Sequence, residues 1–427
     1  MTHGAEDPPR LRDVLSQRDF ALVLGASFVS NTGRWMQQVV LGVFAWHLTE
    51  SSTFLGLIVF AQMGPMLALS LIGGGLADSL DRKRLIVVTQ AWQALWGLVL
   101  AWRVAGGSIS KGELIALVFV IGVGQALYAP AFTAVLPSLV GRENLSAAIS
   151  LNSAQVNGSR VVGPALGAWL ASLFGVSTVL VINAVTYLFV IGAIIVVTIP
   201  RTVIQNRGRG DRYLGGIRLA RISPQVRRPL LTMATFAALC LPFLGQMPAL
   251  AELNLGVDPE SQTYGLLYAT FGFGALVGAA SVGTVLAGVP QPKIVRVTLA
   301  CFSVSLALLA TVSSATVAYP VFFAVGLFYF TMPVALSTFL QHHLADEVRG
   351  RVMALWTLSF GGVISISNSI MGYLVDQTSV STVVYVGAVV SAVLAVVVRL
   401  EFGEEVGEQT LLQTRPKSVR TIRQSSN

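Results

Sequence analysis

Residues 74–84 read Gly74-Gly75-Leu76-Ala77-Asp78-Ser79-Leu80-Asp81-Arg82-Lys83-Arg84. Two acids and three consecutive bases sit in a short stretch flanked by long apolar runs, one beginning near Phe54 and the next near Leu85. Spanning a hydrocarbon core of roughly 30 Å takes about 20 apolar residues in a helix. Two such runs joined by a short charged turn read as a transmembrane helical hairpin. The basic triplet places the turn on the cytoplasmic side, where Lys and Arg accumulate.

The rest of the chain repeats this pattern. Of 427 residues, 54% are hydrophobic and 11% charged, and the mean hydropathy is +0.72. A soluble domain carries about 25% charged residues, so this chain lacks the polar surface that water requires. Apolar runs begin near Phe20, Phe54, Leu85, Leu114, Leu145 and Thr178, then near Leu230, Tyr264, Ile294, Val317, Val352 and Thr382. Each exceeds the roughly 10 residues of a barrel strand. The expected class is an all-α integral membrane protein of twelve transmembrane helices. Residues 1–18 are polar, and the first run is too long for a signal-peptide core. Cys240 and Cys301 fall inside apolar runs and read as buried thiols. The net charge of +8 does not indicate nucleic acid. With a cytoplasmic N-terminus, every Lys and Arg except Arg34, Arg103, Lys111 and Arg160 falls on the cytoplasmic side. Both termini are then cytoplasmic. The membrane is an inner or plasma membrane, because an outer membrane would hold a barrel.

Internal repetition divides the chain. Val176-Ser177-Thr178-Val179 recurs as Val380-Ser381-Thr382-Val383, and Glu143 maps to Glu347 at the same offset. Gly56-Leu57 matches Gly265-Leu266, and Gly74 matches Gly283. Ordered matches at near-constant offset indicate two pseudo-symmetric six-helix bundles. The expected boundaries are a cytoplasmic segment at 1–19, a first bundle at 20–200, a linker at 201–229, a second bundle at 230–400 and a tail at 401–427. The linker is rich in arginine, with Asp211 as its acid, and suits anionic lipid headgroups. The tail is acidic first and basic last, a composition that favours disorder.

The loop at 74–84 resembles the signature loop of the major facilitator superfamily of transporters. Two further segments carry the same resemblance. Asn157-Gly158-Ser159-Arg160-Val161-Val162-Gly163-Pro164-Ala165-Leu166-Gly167 resembles the glycine-proline motif of its exporter branches. Asp346-Glu347-Val348-Arg349-Gly350-Arg351-Val352-Met353 opens the eleventh run. With Pro130-Ala131 and Leu136-Pro137, it resembles the branch containing the enterobactin exporter and macrolide efflux proteins. Departures are also present. Ser79 and Asp81 stand where the superfamily loop often has a basic residue and a glycine, and the loop from Gly283 to Arg296 carries no acid. The fourth helix lacks a buried arginine.

The resemblance assigns gating to Gly74, Asp78, Asp81, Arg82, Lys83, Arg84, Arg349 and Arg351, with Asp78 facing the start of the eleventh helix. A carboxylate at a helix N-terminus gains roughly 0.3–1 kcal/mol from the macrodipole, and the two arginines offer charge-assisted partners. Arg82, Lys83 and Arg84 serve equally well as topology signals. Gly158, Gly163 and Gly167 permit close helix approach, and Pro164 removes an intrahelical hydrogen bond.

Arg34 and Arg160 lie within apolar runs, where a charge costs at least roughly 2.5–3.5 kcal/mol, so each is expected to face a cavity or a partner. Asn31, Gln37, Gln38, Gln155 and Asn157 accompany them. They predict a polar, electropositive cavity, unless the arginines instead bond helix-end carbonyls. Gln246, Tyr268, Tyr329 and Asn368, with Phe328 and Phe330 nearby, are the expected softer lining from the second half. No phosphate-binding loop appears, and the resemblance implies a proton gradient as energy source, with no cofactor or metal. Glu252, His47 and Asp78 are the candidate proton carriers.

The expectation is a monomeric secondary transporter, not an enzyme. It exports a small amphipathic molecule, drug-like or siderophore-like, by alternating access and proton antiport. A symporter importing an organic anion is the alternative on the same fold. A transporter-shaped sensor or scaffold is the alternative of another class.

Overall fold

The computed structural model describes residues 11–73, 81–141, 144–199, 211–400 and 406. These residues are almost entirely helical. After a short helix at Leu11–Leu15, the first half holds α1 (Arg18–Thr49), α2 (Ser52–Gly73), α3 (Arg82–Ala105), α4 (Lys111–Val135), α5 (Leu145–Phe174) and α6 (Val176–Val196). A helix at Asp211–Ile222 leads into the second half.

There α7 has two helical pieces, Pro224–Leu239 and Met247–Leu255, joined by a 3-10 stretch at Pro242–Gln246. Then come α8 (Gln262–Gly283), α9 (Gln291–Thr311) and α10 (Ala315–His342). Last are α11, Asp346–Thr357 and Val363–Gln377 around a π-helical turn at Leu358–Gly362, and α12 (Val380–Val397). Among the described residues, nine helices are long and apolar enough to cross a membrane, and Ser52–Leu67 forms a shorter apolar helix. The two remaining long helices, α1 and α5, are the ones interrupted by Asn31, Arg34, Gln155, Asn157 and Arg160. The polar residues of α1, at 31, 34 and 38, share one face, whereas in α5 Gln155 and the Asn157–Arg160 pair lie on different faces.

Local chemistry sets the ends. Asp81 caps α3, accepting from the backbone N–H of Lys83 (2.9 Å) and Arg84 (3.2 Å). Ser110, Ser261 and Ser379 cap α4, α8 and α12. Such caps satisfy N–H groups that a helix start leaves unpaired. Gly175, at φ +80°, ends α5 and starts α6 without a linker, a turn that an L side chain resists. In α7, Pro242 and Pro248 remove donors on either side of the irregular stretch.

The molecule is built inside out for water. Phe189, Ile195, Trp102, Val285 and Val396 are exposed along the outer faces, a pattern suited to lipid. Inside the second half, Phe236, Tyr264, Phe302, Phe322 and Phe339 are fully buried.

The repeat is visible in packing. In the first half α2 packs on α4 and α3 on α6; in the second, α8 packs on α10 and α9 on α12. The halves meet along α2–α11 and α5–α8, two crossings exchanged by the repeat. The matched glycines both lie at these crossings: Gly56 against the Asn368 carbonyl, and Gly265 against the Ala168 side chain. The matched Val176 and Val380 each begin the last helix of their half.

The expected segment boundaries shift slightly. The first run starts at Arg18, ahead of position 20. The helix at Asp211–Ile222 sits on α11, with Gly216 close to the Arg351 carbonyl, and Pro224 already opens α7, ahead of position 230. Within the expected tail, Val406 bridges to Leu344. The remainder of 401–427, 201–210 of the linker and position 200 before it lie outside the described residues.

Candidate functional site

Among the described residues, several side-chain hydrogen bonds join the halves at the end of the bundle opposite the chain termini. The Asp376 carboxylate, at the end of α11, accepts four hydrogen bonds from the start of α2. The donors are Ser51 Oγ (2.8 Å), Ser52 N (2.7 Å), Thr53 N (2.9 Å) and Thr53 Oγ1 (2.7 Å). An acid of the second half thus caps a helix of the first. Trp46 Nε1 donates to Glu252 (2.6 Å), and His47 Nε2 lies 3.4 Å from Glu260. Gln246 Nε2 donates to the Ser52 carbonyl (3.3 Å), and Ser369 Oγ to the Gly56 carbonyl (3.2 Å).

Near the middle of α1 and α5 lie two polar clusters, one around Asn31 and one around Arg160, the second touching the other half. Gln155 Nε2 donates to Asn152 Oδ1 (3.1 Å), and Asn31 Nδ2 donates to Gln155 Oε1 (3.3 Å). Arg34 Nη2 donates to Asn31 Oδ1 (2.9 Å), and Arg160 Nη1 to Asn157 Oδ1 (3.1 Å). The Arg160 guanidinium sits over the Phe330 ring of α10 (4.3 Å) and the Trp35 ring of α1 (5.4 Å), so this one side chain joins α5, α1 and the second half. Asn31, Arg34, Trp35, Gln38, Asn157, Arg160 and Phe330 are all half-buried. Among the described residues, neither arginine has an acidic partner; the ion pairs are His47–Glu260 and Arg103–Glu113.

Other expected site residues are placed elsewhere. Gln37 is buried within the first half and accepts from Asn183 Nδ2 (2.6 Å). Gln246 and Asn368 are buried in packed contacts, and Tyr268 and Tyr329 are also buried but lie near enough to Arg160 to interact with its charge. The Asn368 amide donates to the Ile364 carbonyl (2.8 Å), and its Oδ1 presses on Gly245. Tyr268 and Tyr329 join an edge-to-face stack with Phe243 and Phe271, a favourable aromatic arrangement. Apolar shape fills the interior of the second half, and Phe330 stacks on Arg160.

The close-packed glycines of the helix 5 motif, Gly163 and Gly167, pack within their own half. A side chain at Gly163 would meet the Thr32 carbonyl at 2.8 Å, and one at Gly167 would meet Met36 Cα at 2.9 Å, both on α1. Gly158 has ordinary room, 3.5 Å from Phe28, and Pro164 lies inside a continuous α5. Close approach across the halves comes from α8, where Gly272 sits 2.7 Å from the Arg160 carbonyl, measured to a Cβ added there.

Of the expected gating residues, Gly74 and Asp78 lie outside the described residues. Asp81 is engaged as the α3 cap, and Lys83 Nζ donates to the Ile195 and Val197 carbonyls (2.9 Å each) at the end of α6. Arg349 Nη2 donates to the Leu344 carbonyl (3.2 Å). Arg82, Arg84 and Arg351 are at the termini end with them. Sequence reasoning did not single out Asp376, Trp46 as a donor, or the Ser51–Thr53 cluster. A run of hydroxyl residues before an apolar stretch is a helix-start signal, but its partner lies more than three hundred positions away in the chain.

The family described as transmembrane secretion effector matches residues 13–421. The chain belongs to this family. It is a membrane transporter of the major facilitator superfamily and not an enzyme. The staphyloferrin A transporter of Staphylococcus aureus is 22% identical over 356 residues, covering 82% of this chain and 88% of that protein. The enterobactin exporter EntS of Salmonella choleraesuis is 26% identical over 371 residues, covering 79% of this chain and 81% of that one. Among solved structures, the nucleoside transporter NupG superposes with a TM-score of 0.70 at 13% identity, over 89% of this chain and 98% of its own. The D-xylose-proton symporter gives 0.73 at 11%, over 92% and 98%. At such identities the likeness concerns the fold.

Proposed function

We propose that this secondary transporter exports a small amphipathic molecule by alternating access, as a monomer in an inner or plasma membrane with both termini in the cytoplasm. The observation that carries this reading is the pair of polar clusters, Arg34–Asn31–Gln155 and Arg160–Asn157, the second stacked on Phe330 of the other half, in a molecule whose halves are bonded together at the far end. On this reading the far end faces outward, and the substrate loads from the cytoplasmic side while Asp376, Glu252 and Glu260 keep the exit shut. The bundles at 20–200 and 230–400 are the two rocking units, tethered by 201–229. The basic linker lies against lipid headgroups.

Export in particular is favoured by the likeness to an enterobactin exporter. A proton gradient supplies the energy: a proton on an acid of the far end removes an acceptor that holds the halves together and so favours opening. At the termini end, Asp78 with Arg349 and Arg351 forms the opposing gate.

The test is metabolite profiling of cells carrying wild type or Arg34→Gln, with and without an uncoupler. Lower intracellular levels of a compound with wild type alone, abolished by the uncoupler, are expected. Higher, uncoupler-sensitive levels would reverse the direction to import. No difference for any compound would overturn the reading.

A further inference from the structure

Two features of these polar clusters are unexplained by packing. The first is charge. Arg34 and Arg160 occupy the middle of α1 and α5 with neutral amide partners, and no carboxylate pairs with either among the described residues. Charges in membrane spans ordinarily pair or line a pathway. The second is hydrogen-bond polarity. Arg160 Nε and Trp35 Nε1 are buried with no partner among the described residues, and the two side chains face each other. Both groups are obligate donors that accept nothing. Leaving buried donors unsatisfied is costly, so the surroundings of Arg160 and Trp35 are short of acceptors and of negative charge at the same place.

A carboxylate meets both needs. Its two oxygens match the planar fork of a guanidinium, and in Arg160 the asparagine occupies Nη1, leaving the Nε side of the fork without an acceptor. Arg34 supplies a second cation, near enough to Arg160 for the two charges to interact, with one described hydrogen bond, through Nη2. The Trp35 and Phe330 rings beside Arg160 are half-buried and offer flat apolar surface next to the charge.

We propose that Arg34 and Arg160 form a two-point site for a substrate bearing at least two carboxylates on a flat, apolar frame. Arg160 and the Trp35 indole hold one carboxylate, and Arg34 holds the other. This site rests on the transport reading above and narrows its cargo to multivalent acids.

The test uses the full-length protein in nanodiscs and isothermal calorimetry with benzoate, isophthalate, trimesate (benzene-1,3,5-tricarboxylate) and the neutral benzene-1,3,5-tricarboxamide. Trimesate is expected to bind at least tenfold tighter than benzoate, and the tricarboxamide at least tenfold weaker than trimesate. Arg34→Gln and Arg160→Gln should each bring trimesate down to benzoate-like affinity, and Arg160→Lys should recover part of the loss. Equal affinity for trimesate and the tricarboxamide, no trimesate binding, or wild-type affinity in the Gln variants would overturn the site. If either Gln variant fails to fold, the wild-type comparison of acid with amide still decides. Charge-selective binding without any cellular efflux would refute the export reading alone, whereas efflux of a neutral compound without acid binding would refute this site alone.

Discussion

Replacing Asp376 by alanine should release the far end of the transporter. The carboxylate accepts two backbone N–H groups and two hydroxyls from Ser51, Ser52 and Thr53, so it acts as the N-cap of α2 supplied by the other half. Loss of a cap costs about 0.5–2 kcal/mol. Hydrogen bonds to a charged group contribute roughly 1.5–3 kcal/mol when well shielded. Asp376 is exposed, so water and salt reduce the sum, and about 1–2 kcal/mol is the expected loss of closure. That corresponds to a factor of roughly 5–30 in the ratio of closed to open molecules. The assay is double electron–electron resonance with spin labels at Lys111→Cys and Ser313→Cys, one in each half at the far end and both exposed, in a Cys240→Ser, Cys301→Ser background. Asp376→Ala should add a long-distance population, and Thr53→Val, which removes one of the four donors, should add a smaller one. A distance distribution in Asp376→Ala identical to that of the parent would refute the latch.

Three further outcomes follow from the packing. Gly56→Leu and Gly265→Leu place side chains on the Asn368 carbonyl and on Ala168; each should hold the halves apart at the far end, seen as faster alkylation of a nearby engineered cysteine, and an unchanged rate would count against the crossings as drawn. Trp46→Phe removes the donor to Glu252 and should weaken closure by about 1 kcal/mol, read as a smaller long-distance population than in Asp376→Ala. Asn183→Ala leaves the buried Gln37 amide without its partner and should lower the stability of the first half by about 1–3 kcal/mol, measured by thermal unfolding in detergent; Arg103→Gln, which breaks a half-buried surface pair with Glu113, should lower it by less.

Particular residues show where the sequence was readable. The apolar runs, the matched Val176 and Val380, and the matched Gly56 and Gly265 all correspond to structural positions of the same kind, because local hydropathy and repetition are written along the chain. Arg34 and Arg160 were conspicuous for a similar reason, since charge in an apolar run is costly wherever it points. Their expected companions divided. Asn31, Gln155 and Asn157 joined the two clusters, whereas Gln37, Gln246 and Asn368 were drawn into packing contacts. Helical period places a residue on a face but does not say which face meets a cavity, a neighbouring helix or lipid.

Hydropathy and charge by themselves determined that this chain is a helical membrane protein, because each span must satisfy its own backbone in lipid, and internal repetition determined its two related halves. The motifs along it determined the superfamily. The tertiary structure alone decided which side chains meet across the halves: Asp376 with the start of α2, Trp46 with Glu252, Arg160 with Phe330. Those contacts join residues hundreds of positions apart, and their energy depends on distance and orientation set by helix crossings. A local pattern carries no record of that geometry, so the latch and the stacking of Arg160 on Phe330 came into view only with the packed halves.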